Sequence, residues 1–206
     1  MNHRETFQTA EANFFNVHDN YKSLEVNELR EICRQDRRNF RLCALNVEGD
    51  LNVGMMIRSA SLFGAEKAYI FGRRRIDNRS LVGVQNYIDI EKIHGLDDDG
   101  ILDLKEFADF VFEQTVDNYA IVMVEQGGTQ LGDLDWADVL IDHNGITLIM
   151  GNENSGIPAE FLPYADYVVS IPQRGVLRSF NVAAAANIVM WDMAPHMENK
   201  QRKIKG

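Results

Sequence analysis

The period of apolar and polar positions changes near residue 41. Before that point the chain is polar, and one amphipathic stretch from Ser23 to Arg34 predicts a helix within an N-terminal helical extension, residues 1–40. From Arg41 onward, short aliphatic runs alternate with segments of helical period. RLCALNV (41–47), KAYIFG (67–72), YAIVMVEQ (119–126), GITLIMG (145–151) and DYVVSIP (166–172) are closed by Gly, Pro or polar residues. Buried parallel strands have that look. Ile90 to Ile93 forms a further short strand candidate. Helical segments lie between them, at Asn52 to Phe63, Leu104 to Gln114 and Asn181 to Met193. In the first, Val53, Met56, Ala60 and Phe63 recur at helical spacing, Asn52 reads as an N-cap and Gly64 as the stop. This alternation predicts an α/β fold: an open, mostly parallel sheet with helices on both faces. Ligands of such sheets sit beyond the carboxyl ends of the strands. No internal repeat, low-complexity linker or second domain interrupts the pattern.

Composition narrows the partners. The 206 residues suit one domain with short extensions, and 45% hydrophobic with 25% charged residues is an ordinary globular balance. No apolar run approaches the roughly 20 residues of a membrane span, and the N-terminus lacks the layout of a secretory signal. Cys33 and Cys43 have no metal-ligand spacing, so they read as reduced thiols of a cytoplasmic protein, Cys43 within a strand. The net charge of −10 runs against phosphate binding, which favours a basic face. Basic residues do cluster, at Arg34, Arg37, Arg38 and Arg41, at Arg73, Arg74, Arg75 and Arg79, and at Lys200, Arg202, Lys203 and Lys205. Each group reads either as solvated surface or as a phosphate contact. Arg73, Arg74 and Arg75, just beyond a strand end, are the best candidates for phosphate contacts.

Several familiar chemistries lack their signature. The run GLDDDGILDLKE (95–106) spaces Asp97, Asp99, Gly100 and Glu106 like a calcium loop, but Gly95 stands where the first carboxylate belongs. An acidic loop leading to a helix capped by Asp103 is the preferred reading. The five histidines show no zinc-ligand spacing, and neither GxGxxG after a strand nor GxxxxGK[ST] occurs. No metal is expected.

Three strand-to-loop junctions carry unusual residues. After the strand ending at Val47 come Asn52, Gly54 and Arg58, the last on an otherwise apolar helix. Arg58 alone could simply lay its stem along the sheet. After Gly151 a tight polar loop holds Glu153 and Gly156 and ends at Pro158, which could be an ordinary βα turn. After Ile171 and Pro172 a glycine-containing loop leads through Ser179 and Asn181 into a helix opening on Ala183, Ala184, Ala185 and Ala186. Ser179 by itself could be no more than a cap, and four alanines permit close approach of another backbone.

Taken together, these motifs resemble the SpoU/TrmH family of the SPOUT superfamily of RNA methyltransferases, over Arg41 to Pro195. Asn52-Val53-Gly54 with Arg58-Ser59-Ala60 matches its first motif, Gly151 to Pro158 its second, and Ile171-Pro172 with Ser179-Phe180-Asn181-Val182-Ala183 its third. Phe180 replaces the usual Leu and Ala183 the usual Ser. The stretches VEQ (124–126) and IPQRGVLRSFNV are similar to the branch that methylates a guanosine in the tRNA D-loop. The resemblance implies a SPOUT domain over 41–195, a C-terminal deep trefoil knot, a basic tail at 196–206 and a homodimer packed through the knot helices. It implies S-adenosylmethionine as cofactor, held by Val124, Glu125, Met150, Gly151, Ile171, Ser179 and Phe180. The reaction implied is methyl transfer to a ribose 2′-hydroxyl, with Arg58 activating the hydroxyl and Asn52, Glu153, Ser179 and Asn181 holding the arrangement. A guanidinium is effectively always protonated, so a positioning role for Arg58 stands beside that of a base. A ribosomal RNA substrate and a non-catalytic knotted RNA-binding module are the alternatives.

Overall fold

The computed structural model describes residues 4–6, 17–72 and 77–197. Seven strands form one sheet: β1 (Arg4–Thr6), β2 (Arg38–Leu45), β3 (Ala65–Phe71), β4 (Asp89–Ile93), β5 (Tyr119–Gln130), β6 (Gly145–Met150) and β7 (Tyr167–Ser170). Their spatial order is β1-β4-β3-β2-β6-β5-β7; β1 runs antiparallel to β4 and every other pairing is parallel. The helices are α1 (Val26–Gln35), α2 (Asp50–Leu62), α3 (Leu104–Val116), α4 (Trp136–Val139) and α5 (Val182–Met193). Among the described residues no helix is long and apolar enough to cross a membrane.

Both faces of the sheet are covered, as the alternation predicts. Along β2, Phe40, Leu42 and Ala44 join the core beneath α2, α4 and α5, while Cys43 and Leu45 join the one beneath α3. Along β5, Ala120 and Val122 face the first core, and Ile121 and Met123 the second. The period-2 pleat thus feeds two apolar layers from one continuous aliphatic run. Complete burial drives the Cys43 thiol well above its ordinary pKa, consistent with an inert core residue.

The element boundaries shift in informative places. The segment read as helical contains strand β1, and β2 begins at Arg38 rather than Arg41. Helix α2 starts at Asp50, so Asn52 lies inside its first turn and is not the N-cap, which is Gly49. Gly64 does end that helix, at φ +84°. Asp103 caps α3, accepting from the backbone N–H groups of Lys105 and Glu106. Gly54 of the first motif has a packing reason: a Cβ there would stand 2.1 Å from the Ser80 carbonyl oxygen.

The first basic cluster is largely built into the fold. Arg41 is buried, its guanidinium 3.9 Å from the Tyr119 ring centroid, donating to Gln114 Oε1 at 2.9 Å and Asp117 Oδ2 at 2.7 Å. Arg30 and Arg37 share the Asp89 carboxylate, and Arg38 donates to the Ala194 carbonyl oxygen at 2.6 Å. Of that cluster only Arg34 has an exposed side chain, and it pairs with Glu31. Arg79 of the second cluster is held by Asp77. Arg73, Arg74, Arg75 and the terminal basic group lie outside the described residues.

Candidate active site

The loops leaving β5, β6 and β7 meet at the carboxyl end of the sheet around a cavity of about 380 Å³. Glycines set how closely they approach. A Cβ on Gly128 would lie 2.4 Å from the Val168 carbonyl oxygen, and one on Gly151 would lie 2.5 Å from the Gly156 carbonyl carbon. Side chains then pin one loop to the next. Glu125 Oε2 accepts the Ile157 backbone N–H at 2.8 Å, and Gln126 Nε2 donates to the Arg178 carbonyl oxygen at 2.7 Å. Val124, Glu125, Met150, Gly151, Ile171, Ser179 and Phe180 all line the cavity. All seven residues expected to hold a cofactor therefore line one space, although they come from β5, from the end of β6 and the residue after it, and from the loop after β7.

Beside this cavity the three motifs are hydrogen-bonded in series. Glu153 accepts from the Glu48 and Gly49 backbone N–H groups, both at 2.9 Å, and from Asn52 Nδ2 at 2.8 Å. Asn52 Oδ1 in turn accepts from Asn181 Nδ2 at 3.0 Å. Asn181 Oδ1 caps α5 through the N–H groups of Ala183 and Ala184, at 2.9 and 3.2 Å. The α5 cap is therefore Asn181, and Ser179 is left to face the cavity. Partial burial works against the Glu153 charge, but the bonds from Asn52, Glu48 and Gly49 prevail and hold its carboxyl below the ordinary range. Its position at the start of α2 adds the favourable helix-dipole interaction.

Arg58 stands apart. It is exposed on α2, about 9 Å along the helix axis from Asn52, and does not line the cavity. Leu51, Met55 and Leu62, at helical spacing around it, are exposed too. A single chain thus assembles Asn52, Glu153, Ser179, Asn181 and the cavity but leaves Arg58 outside them.

One supporting residue was not singled out in the sequence. Buried Asn152 donates to the Asn46 carbonyl oxygen at 2.8 Å and accepts from the Asn154 and Ser155 N–H groups, at 2.8 and 3.1 Å, shaping the loop that presents Glu153. An Asn opening a tight polar turn is the local signal that could have found it.

A sequence model of the SpoU rRNA Methylase family matches residues 39–191. The chain belongs to this family. Among its relatives is the mouse tRNA (guanosine(18)-2′-O)-methyltransferase TARBP1, 23% identical over 150 residues, which are 71% of this chain and 9% of that protein. The tRNA (guanosine(18)-2′-O)-methyltransferase of Aquifex aeolicus (strain VF5) is 22% identical over 179 residues, 85% of this chain and 78% of the relative. The solved AdoMet-bound rRNA methyltransferase from Sinorhizobium meliloti superposes with a TM-score of 0.62 at 24% identity, covering 82% of this chain and 60% of that one. This SpoU methylase chain thus spans under a tenth of its mouse relative and most of its Aquifex one.

Proposed function

We propose that this chain is an S-adenosylmethionine-dependent RNA methyltransferase that methylates a ribose 2′-hydroxyl, with tRNA as the RNA and a D-loop guanosine as the favoured nucleotide. The observation that carries this reading is the line Glu153–Asn52–Asn181, which joins all three motifs beside one cavity. Both sequence relatives are named as guanosine(18) 2′-O enzymes of tRNA, which supports tRNA over ribosomal RNA.

The residues present fit the cofactor. The cavity is of small-molecule size, with apolar Val124, Met150, Ile171 and Phe180 for an adenine and Glu125 also in its lining for cationic or hydrogen-bonding groups. Tightly apposed backbone at Gly151 and Gly156 completes the cradle. Bound S-adenosylmethionine would supply a methyl group on an already cationic sulfur, so transfer needs no metal. With the cofactor bound, the ribose 2′-oxygen would need only to be aligned with that methyl group and relieved of its hydroxyl proton. Because its guanidinium stays protonated, Arg58 would hold the 2′-oxygen and stabilise the negative charge growing there, while the proton passes to solvent water. Glu153, through Asn52 and Asn181, keeps α2 and α5 in register around that point.

The site is completed by a second copy of the chain. Leu51, Met55 and Leu62 on α2 and Ile188 and Trp191 on α5 are exposed large apolar side chains on two helices that pack together. An apolar surface of this kind supports an isologous homodimer, which would bring Arg58 to the partner's cavity. The chain takes the deep trefoil knot of a SPOUT domain at 41–195, a reading supported by the close approach of Gly128 to Val168 and the tie of Gln126 to Arg178. Residues 1–40 and the basic tail at 196–206 are its extensions, and the reaction takes place in the cytoplasm.

Two measurements test this. Mapping 2′-O-methylation in total tRNA from cells with and without the protein should show one guanosine losing its methyl group; an unchanged map would defeat the tRNA reading. Gly151→Ala places its Cβ against backbone that cannot yield, 2.7 Å from the Ile157 nitrogen. It should weaken S-adenosylmethionine binding by about tenfold in calorimetry. Unaltered affinity would move the cofactor elsewhere.

A further inference from the structure

The described cations sort into two sets. Lys22, Lys67 and Lys105 pair with Asp19, Glu91 and Asp109, and Lys92 is buried. Arg30, Arg34, Arg37, Arg41 and Arg79 pair with carboxylates, and Arg38 donates to backbone carbonyls. Among the described lysine and arginine side chains, this leaves Arg58, Arg174 and Arg178 exposed and without a hydrogen-bond or ion-pair partner. In a chain of net charge −10, cations not already neutralised by the protein itself are the ones left to meet phosphate.

Arg174 and Arg178 flank a solvent-borne tip on the loop between β7 and α5. Val176 is 101% exposed and Leu177 80%, and a Cβ added at Gly175 would meet nothing within 4 Å. Two adjacent aliphatic side chains held in water contribute nothing to this fold. The loop is nevertheless anchored at both ends, where Gln126 holds the Arg178 carbonyl and Gln173, Arg178, Ser179 and Phe180 line the cavity, so that Arg178 stands at its rim. That bond uses the backbone and leaves the guanidinium free. We propose that the Arg174–Arg178 loop engages the RNA beside the target ribose, with Arg174 and Arg178 on phosphates and Val176 and Leu177 against unstacked base faces. Cationic flanks with an apolar tip match the chemistry of single-stranded or splayed-out RNA, where bases expose faces that a duplex hides. The inference rests on the RNA methyl-transfer reading and adds the element that receives the substrate.

The test uses the full chain and an unmethylated tRNA transcript containing the D-loop guanosine. R174Q/R178Q should weaken transcript binding about tenfold or more, as loss of charged hydrogen bonds does. It should also lower the slope of log affinity against log salt by about 1.5 to 2. V176S/L177S should weaken binding with the slope retained, and its S-adenosylmethionine affinity in calorimetry should match wild type. Wild-type affinity and slope in both variants overturn the assignment. So does dissociation of the V176S/L177S dimer in light scattering, which would make the tip a contact between copies. If the wild-type chain methylates no RNA, the activity reading itself has failed; if it does while both variants bind and turn over normally, only the loop's role has.

Discussion

Arg58→Ala should lower methyl transfer to tRNA by about a thousandfold, the scale on which a lost charge-stabilising donor acts. Cofactor affinity should change by less than about twofold, because Arg58 does not line the cavity. Methyl incorporation under single-turnover conditions and calorimetry with S-adenosylmethionine read the two effects separately. Normal turnover by the variant would remove Arg58 from the mechanism. Its exposed place on α2, beside Leu51, Met55 and Leu62, supplies a second test. Mixed with a chain that keeps Arg58 but has a blocked cofactor cavity, the Arg58→Ala chain should regain activity in about a quarter of the sites, since half the dimers are mixed. No recovery would mean that Arg58 serves the cavity of its own chain.

Removing the Glu153 carboxylate should have the next largest effect. Glu153→Ala leaves two backbone N–H groups and the Asn52 amide without their acceptor. A cost of about 2 kcal/mol in urea unfolding is expected. Turnover should fall about a hundredfold, because Asn52 then no longer fixes Asn181 and the start of α5. Undiminished turnover would make the hydrogen-bonded line incidental. The pH dependence has a definite sign. Burial opposes the Glu153 charge, yet the bonds from Asn52, Glu48 and Gly49 outweigh it and lower the folded-state pKa. The stabilisation is therefore complete above the unfolded glutamate value of roughly 4.3. It is lost as pH falls through the lower folded value. The stability gap between wild type and Glu153→Gln should close in acid; a gap that widened there would contradict the linkage.

The elements were legible wherever their period was strong. β5, β6 and α5 begin within a residue or two of the aliphatic runs and small-residue stretch that mark them. Strand β1 was not legible, since three residues, RET, carry no periodic signal and become a strand only by pairing with β4. Asn52 looked like an N-cap because Asn favours that position. The structure starts α2 two residues earlier, with the Glu153 carboxylate, more than a hundred residues along the chain, accepting the backbone N–H groups there. The cluster around Arg41 could not be sorted into surface or core from charge alone. Its partners Gln114, Asp117 and Glu66 are distant in sequence and meet it only where α3 and β3 are packed beside the central strand β2.

Sequence by itself determined the alternation of strands and helices, the family and the residue types available for chemistry. These follow from local period and from motifs whose members lie within a few residues of one another. Only the tertiary structure decided that the ends of β5, β6 and β7 and the loops beyond them line one cavity, that Glu153, Asn52 and Asn181 form a single hydrogen-bonded line, and that Arg58 stands outside it. It also decided which of the described arginines are left without a side-chain partner in the chain. A long-range hydrogen bond or ion pair leaves no trace in local pattern, because its partners are brought together by strand order and packing rather than by spacing along the chain.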